Sequence, residues 1–165
     1  MIYIYLLFHY HILLTLIDYD TIRMKKERYY LNEKEYPTIP VPGDCIVKEI
    51  QLKENYLIFI FEDDITYHDG TKKISPDTDT KSLIIKFHLL NDIYDICLFM
   101  KSQQNTATYT EIEVADNKEI LHDITKNRLA YLHHYIGYCS MIIKLWSEKD
   151  IVFDLYVDYV EFDWI

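Results

Sequence analysis

The sequence predicts a mainly β protein: an antiparallel sheet system, curled or sandwich-like, with at most one or two short helices. Three observations carry this. Short apolar runs with period-two alternation recur between Asp44 and Ile165. The chain holds 16 Tyr, a residue suited to half-buried strand positions where the ring packs and the hydroxyl reaches water. Only 3 Gly are present, and none opens the Gly-rich βα turn of a doubly wound parallel sheet. A length of 165 residues suffices for one hydrophobic core and is short for two. The boundaries follow as an apolar extension over 1–23, a polar lead-in over 24–43 and one β-rich domain over 44–165.

The first stretch, Met1–Ile17, has no Asp, Glu, Lys or Arg. It lacks the positive start and small-residue cleavage site of a secretory signal. A spanning helix needs about 20 apolar residues, and His9 and His11 interrupt this run. Arg23, Lys25, Lys26 and Arg28 follow it, as they would follow a membrane anchor. A docked strand or helix is the other structural reading. The preferred expectation is an upstream extension, with a chain starting at Met24 as stable as the whole. Over 24–43, Pro37, Pro40 and Pro42 prevent a regular helix, so an extended lead-in is expected.

The organising stretch is Asp44–Asp64. Ile46, Lys48 and Ile50 alternate against Cys45, Val47 and Glu49, and Gln51–Asn55 joins this run to the more continuously apolar Tyr56–Phe61. That pattern predicts a hairpin whose second strand is covered on both faces. Thr66–Asp79 carries turn signals in HDG and SPDTD. In Ser82–Leu90, Leu83, Ile85, Phe87 and Leu89 form one face, opposite Ile84, Lys86 and His88. Asn91–Asp92 turns the chain into Tyr94–Met100, and Thr106–Val114 has the composition of a strand. Lys118–Thr125 reads as a short strand. Arg128–Tyr138 suits either a helix face or a strand. Met141–Trp146 and Ile151–Leu155 flank SEKD as a second hairpin, and Tyr156–Ile165 closes the alternation.

The formal charge of −10 bounds the partners. In the first forty residues Arg23, Lys25, Lys26, Arg28 and Lys34 balance Asp18, Asp20, Glu27, Glu33 and Glu35, so the excess lies in the β-rich domain. An acidic surface repels phosphate backbones and attracts basic partners, so nucleic acid is not an expected ligand. Cys45, Cys97 and Cys139 are widely spaced with no CxxC pair, as fits thiols packed in a reducing cytoplasm.

Catalytic constellations are thin. GxSxG, GxGxxG and GxxxxGK[ST] are absent. Glu62, Asp63, Asp64, Asp69, Asp77 and Asp79 do not match the ligand spacing of a calcium loop. His68–Asp69, His122–Asp123 and His133–His134 are sequence neighbours, which a strand points to opposite faces. The expectation is no enzyme, no cofactor and no metal. A His/Asp hydrolytic site is the third choice, and would need distant side chains to converge beside a pocket.

The most suggestive stretch is DLYVDYVEFDW. Asp154, Asp158, Glu161 and Asp163 are interleaved with Tyr156, Tyr159 and Trp164. In an interface, aromatics supply affinity while carboxylates steer a basic partner. On a continuous strand Asp154, Tyr156 and Asp158 share one face and Tyr159, Glu161 and Asp163 the other. All can serve one surface only if a bulge or break falls near Asp158–Tyr159. The solvent face is expected to carry Tyr159, Glu161 and Asp163, with Val160, Phe162 and Trp164 turned inward.

In layout, DCIVKEI, YLIFIFEDD and the closing VEFDW resemble small uncharacterised bacterial β-rich domains. Some domains of that kind resemble immunity proteins that occlude a toxin. That resemblance implies a cytoplasmic binding protein neutralising a basic protein partner and carries no catalytic residues. A self-associating structural domain is the alternative.

Overall fold

A computed structural model describes residues 25–63, 81–101 and 108–165. The expectations for residues 1–23, Asp64 and the turn-rich stretch with His68–Asp69, Asp77 and Asp79 fall outside these residues. The fold is mainly β and antiparallel, as the alternation requires. Nine strands belong to one sheet: β1 Lys25–Tyr30, β2 Ile46–Lys53, β3 Tyr56–Phe61, β4 Leu83–Leu89, β5 Ile96–Lys101, β6 Tyr109–Glu113, β7 Leu129–Gly137, β8 Ser140–Ser147 and β9 Lys149–Trp164. A five-residue helix, α1 Glu119–Asp123, and a 3-10 turn at Ile93–Asp95 complete the described elements.

The spine is β9, 16 residues long. Its first half lies between β8 and β5, and its second half between β1 and β4. The order β4–β3–β2–β7–β8–β9 returns to β4, so the sheet closes on itself. In effect two layers share β9, which passes from one to the other, a device by which packed sheets turn corners. The β2–β7 seam is thin, with Ile46 opposite Ala130 and Val47 opposite Leu129.

Strand patterning explains the enclosed core. Leu57, Phe59 and Phe61 of β3, with Leu83, Ile85, Phe87 and Leu89 of β4, point inward with at most 1% exposure. Met141, Ile143 and Leu145 of β8 meet them from the other layer. Phe59 packs edge-on against both Phe87 and Phe153, which ties β3, β4 and β9 together.

In β9 the inward positions are Ile151, Phe153, Leu155 and Val157, then Val160, Phe162 and Trp164. The period-two count changes phase between Val157 and Val160. The register shows why: His88 faces Tyr159 while Leu89 faces Val157, leaving Asp158 as the extra residue of a β-bulge. Smaller bulges fall between Val47 and Glu49 in β2 and between Tyr131 and His133 in β7.

Three readings are corrected and one left open is resolved. The lead-in over 24–43 contains β1: KKERYY looks polar because its side chains lie largely in solvent while its backbone pairs with β9. The joining segment Gln51–Asn55 shrinks to Glu54–Asn55, with Glu54 at φ 52° making the tight turn while β2 continues through Lys53. Lys118–Thr125 holds α1 rather than a strand, with Leu121 and Ile124 buried three residues apart on its inner side. The ambiguity over Arg128–Tyr138 resolves as strand β7, paired along its length with β8.

Candidate functional site

The bulge at Asp158 decides where the carboxy-terminal residues point. Because it shifts the phase by one, Asp154, Tyr156, Asp158, Tyr159, Glu161 and Asp163 all lie on the outer side of β9. Trp164 does not. Its ring is 0% exposed, and its Nε1 donates to Glu27 Oε2 at 3.0 Å, so it belongs to the core and not to a partner surface.

The second half of β9 is already neutralised within the molecule. Asp163, expected in solvent, is 3% exposed because β1 and β4 flank it on both sides. Lys86 Nζ donates to its Oδ2 at 2.5 Å. Its Oδ1 has no hydrogen bond and lies 3.7 Å from Lys26 Nζ. Burial works against the Lys86 charge, but the bonds to Asp163 and Glu161 outweigh it and raise the ammonium pKa. Glu161 meets Arg28 at 2.7 Å and Lys86 at 3.4 Å, and the Arg28 hydrogen bond holds its carboxyl below the usual range. The expectation that Glu161 and Asp163 face solvent is therefore corrected. Both are spent on β1 and β4.

Tyr159 sits in a layer of stacked groups. Arg28 Cζ lies 4.5 Å from its ring centroid, and the His88 ring stacks on it at 4.5 Å with planes 7° apart. Its hydroxyl is 2.6 Å from that of Tyr56. Burial and the Tyr56 bond push its pKa up, so the phenol stays neutral. His88 Nδ1 is 2.6 Å from Asp158 Oδ1. This is a convergence of distant His and Asp that the sequence did not show. Two clefts among the described residues lie elsewhere, around Cys97–Glu113 and around Met100–Lys149.

The other described histidines, His122, His133 and His134, do not join this pair. His122 and Asp123 are exposed on α1. His133 faces Lys144, whereas His134 Nδ1 meets the hydroxyl of fully buried Tyr131 at 2.9 Å. Burial pulls the His134 pKa down to about 4. The folded value lies below the ordinary one near 6.5, so the folded state resists protonation there. Its contribution is complete above about pH 6.5 and disappears as pH falls through about 4, a loss of about 2–3 kcal/mol. Urea melts of wild type and His134→Asn across that window are expected to show a flatter acid limb in the variant. An unchanged limb would place the acid sensitivity elsewhere.

The first half of β9 faces a different surface. Tyr135, Ile142, Asp154, Cys97 and Glu113 form one cross-strand row over β7, β8, β9, β5 and β6. His133, Lys144, Val152, Phe99 and Glu111 form the next. Trp146 is 50% exposed beside them, Tyr156 48% and Tyr135 63%. Lys101 and Lys144 are both drawn to Asp150, at 3.2 and 3.9 Å. Among the described residues no cation pairs with Asp154, Glu111 or Glu113. Sequence reasoning found Asp154 and Tyr156 but missed Glu111, Glu113, Trp146 and Ile142, which reach this face through strand pairing. Burial and the charges of Glu111, Asp154 and Asp95 raise the Cys97 thiol pKa, so this cysteine is not an activated nucleophile.

Comparison with protein-family models, with curated proteins and with solved structures finds no match for this chain.

Proposed function

We propose that the protein is a binding module that takes a basic macromolecular partner on the outer face of β7, β8, β9, β5 and β6. One observation carries this reading. The bulge divides β9 into a half whose carboxylates are neutralised by Arg28, Lys26 and Lys86, and a half whose Asp154 joins Glu111 and Glu113 with no cation paired to them among the described residues. Exposed Trp146, Tyr135, Ile142 and Tyr156 surround those carboxylates. Rigid aromatics beside unpaired charge supply contact area and steering together. The net charge of −10 adds long-range attraction for a cation-rich surface. Neutralisation of a basic protein toxin by occlusion is the most concrete form of this reading, and it calls for no catalytic group.

The two tryptophans make the test direct. Trp146 lies on the proposed face, whereas Trp164 is fully buried. Titration with poly-L-lysine at low salt is expected to change Trp146 emission. A triple reversal of Asp154, Glu111 and Glu113 to Lys is expected to weaken binding at least tenfold, and Glu161→Gln to leave it alone. Binding with no Trp146 response, or equal loss in both variants, would sink the assignment.

A further inference from the structure

We infer that the partner engages this face by adding an extended strand to the free edge of β6, with basic side chains at alternate positions. The inference rests on the binding reading above and goes further, to the conformation and residue pattern of what is bound. β6 ends the pairing order, and among the described residues its only strand partner is β5. Four of its five residues, Tyr109, Thr110, Glu111 and Glu113, are exposed. A sheet edge of this kind presents unpaired backbone N–H and C=O groups to an incoming strand.

The side chains specify what that strand must carry. Glu111 and Glu113 are two residues apart and lie on the outer side, facing Phe99 and Cys97 of β5. Ile112 points the other way and packs partly against the core. A strand laid beside β6 therefore meets a carboxylate, an apolar side chain and a second carboxylate in turn. Its best complement alternates Lys or Arg with a β-branched residue, because directly opposed pairs of opposite charge stabilise and like charges destabilise. A second copy of β6 fits poorly, since glutamates would oppose glutamates in the central register. The edge of β1 fits poorly as well, because Lys25, Lys26 and Arg28 would repel a basic strand.

The test uses the full chain and four synthetic peptides: Lys-Val-Lys-Val-Lys, the scrambled Lys-Lys-Lys-Val-Val, and two forms of the alternating peptide, each N-methylated along a different edge. Affinity is read by calorimetry and edge pairing by amide exchange of β6. The alternating peptide is expected to bind at least fivefold tighter than the scrambled one and to slow exchange at β6. Methylation on the pairing edge is expected to abolish both effects, and methylation on the opposite edge to leave them. A double reversal of Glu111 and Glu113 to Lys should remove the preference in a chain that stays folded by circular dichroism. Equal binding of the alternating and scrambled peptides, both lost on that reversal, would overturn strand addition and keep the charged face. No binding of either would overturn both readings.

Discussion

Deleting Asp158 is expected to leave no folded protein, although the residue is polar and partly exposed. Its backbone absorbs the change of phase in β9, so that Val157 and Val160 can both point inward. Without it, one half of the strand must turn over, since a shift of one residue moves every side chain to the other face. Val160, Phe162 and Trp164, all 0% exposed, would go to solvent, and Tyr159, Glu161 and Asp163 would go to the core. Removing one large aromatic from a core costs about 3–5 kcal/mol, and a buried carboxylate without a partner costs several more. Together these exceed the stability of a typical domain, about 5–15 kcal/mol. Asp158→Asn is the matched control. It keeps the bulge and alters only the half-exposed pair with His88, an expected loss below about 1 kcal/mol. Circular dichroism and tryptophan emission of both variants decide the matter. A folded deletion protein with Trp164 still buried would show that the bulge is dispensable.

Lys86→Met is expected to destabilise the protein by about 3–5 kcal/mol, the usual result of leaving one charge of a buried pair alone. Asp163 is the reason. It is 3% exposed, and its remaining cation, Lys26, is 3.7 Å away on a half-exposed side chain. Glu161 would lose Lys86 too but keep Arg28 at 2.7 Å, so its share of the loss is small. Replacing both members, as Lys86→Met with Asp163→Leu, is expected to restore much of the stability, because an apolar pair needs no solvation and Ile84 lies opposite Asp163. Urea denaturation of the two single variants and the double gives the coupling directly. Additive losses would mean that the two side chains do not act as a unit.

Local pattern carried most of the fold. The alternation of Leu83, Ile85, Phe87 and Leu89, and the paired runs around SEKD, state their faces outright. The inward set Val160, Phe162 and Trp164 was also legible, and so was the condition that only a bulge near Asp158 could unite the two halves of DLYVDYVEFDW. What stayed hidden depends on pairing between distant strands. KKERYY gives no apolar stripe because its order comes from the backbone of β9. Asp163 looks like a surface carboxylate until β1 and β4 are placed beside it, and His88 has no local sign of its contact with Asp158. For the same reason Glu111 and Glu113 could not be joined to Asp154 by reading along the chain. Their common row exists only across β6, β5 and β9.

The position of β9 in the chain governs how this protein can come to be folded. Each strand that pairs with it, β1, β4, β5 and β8, precedes it, and β1 pairs across nearly the whole described chain. During synthesis β1, β4 and β5 emerge with their long-range partner still unmade, and only local hairpins such as β2–β3 can form early. Loop closure over such separations is slow, and all-β chains dominated by distant contacts fold in milliseconds to seconds. Until β9 arrives, the apolar faces of β3 and β4 stay open to other chains, which makes the unfinished polypeptide a substrate for chaperones and a hazard for aggregation.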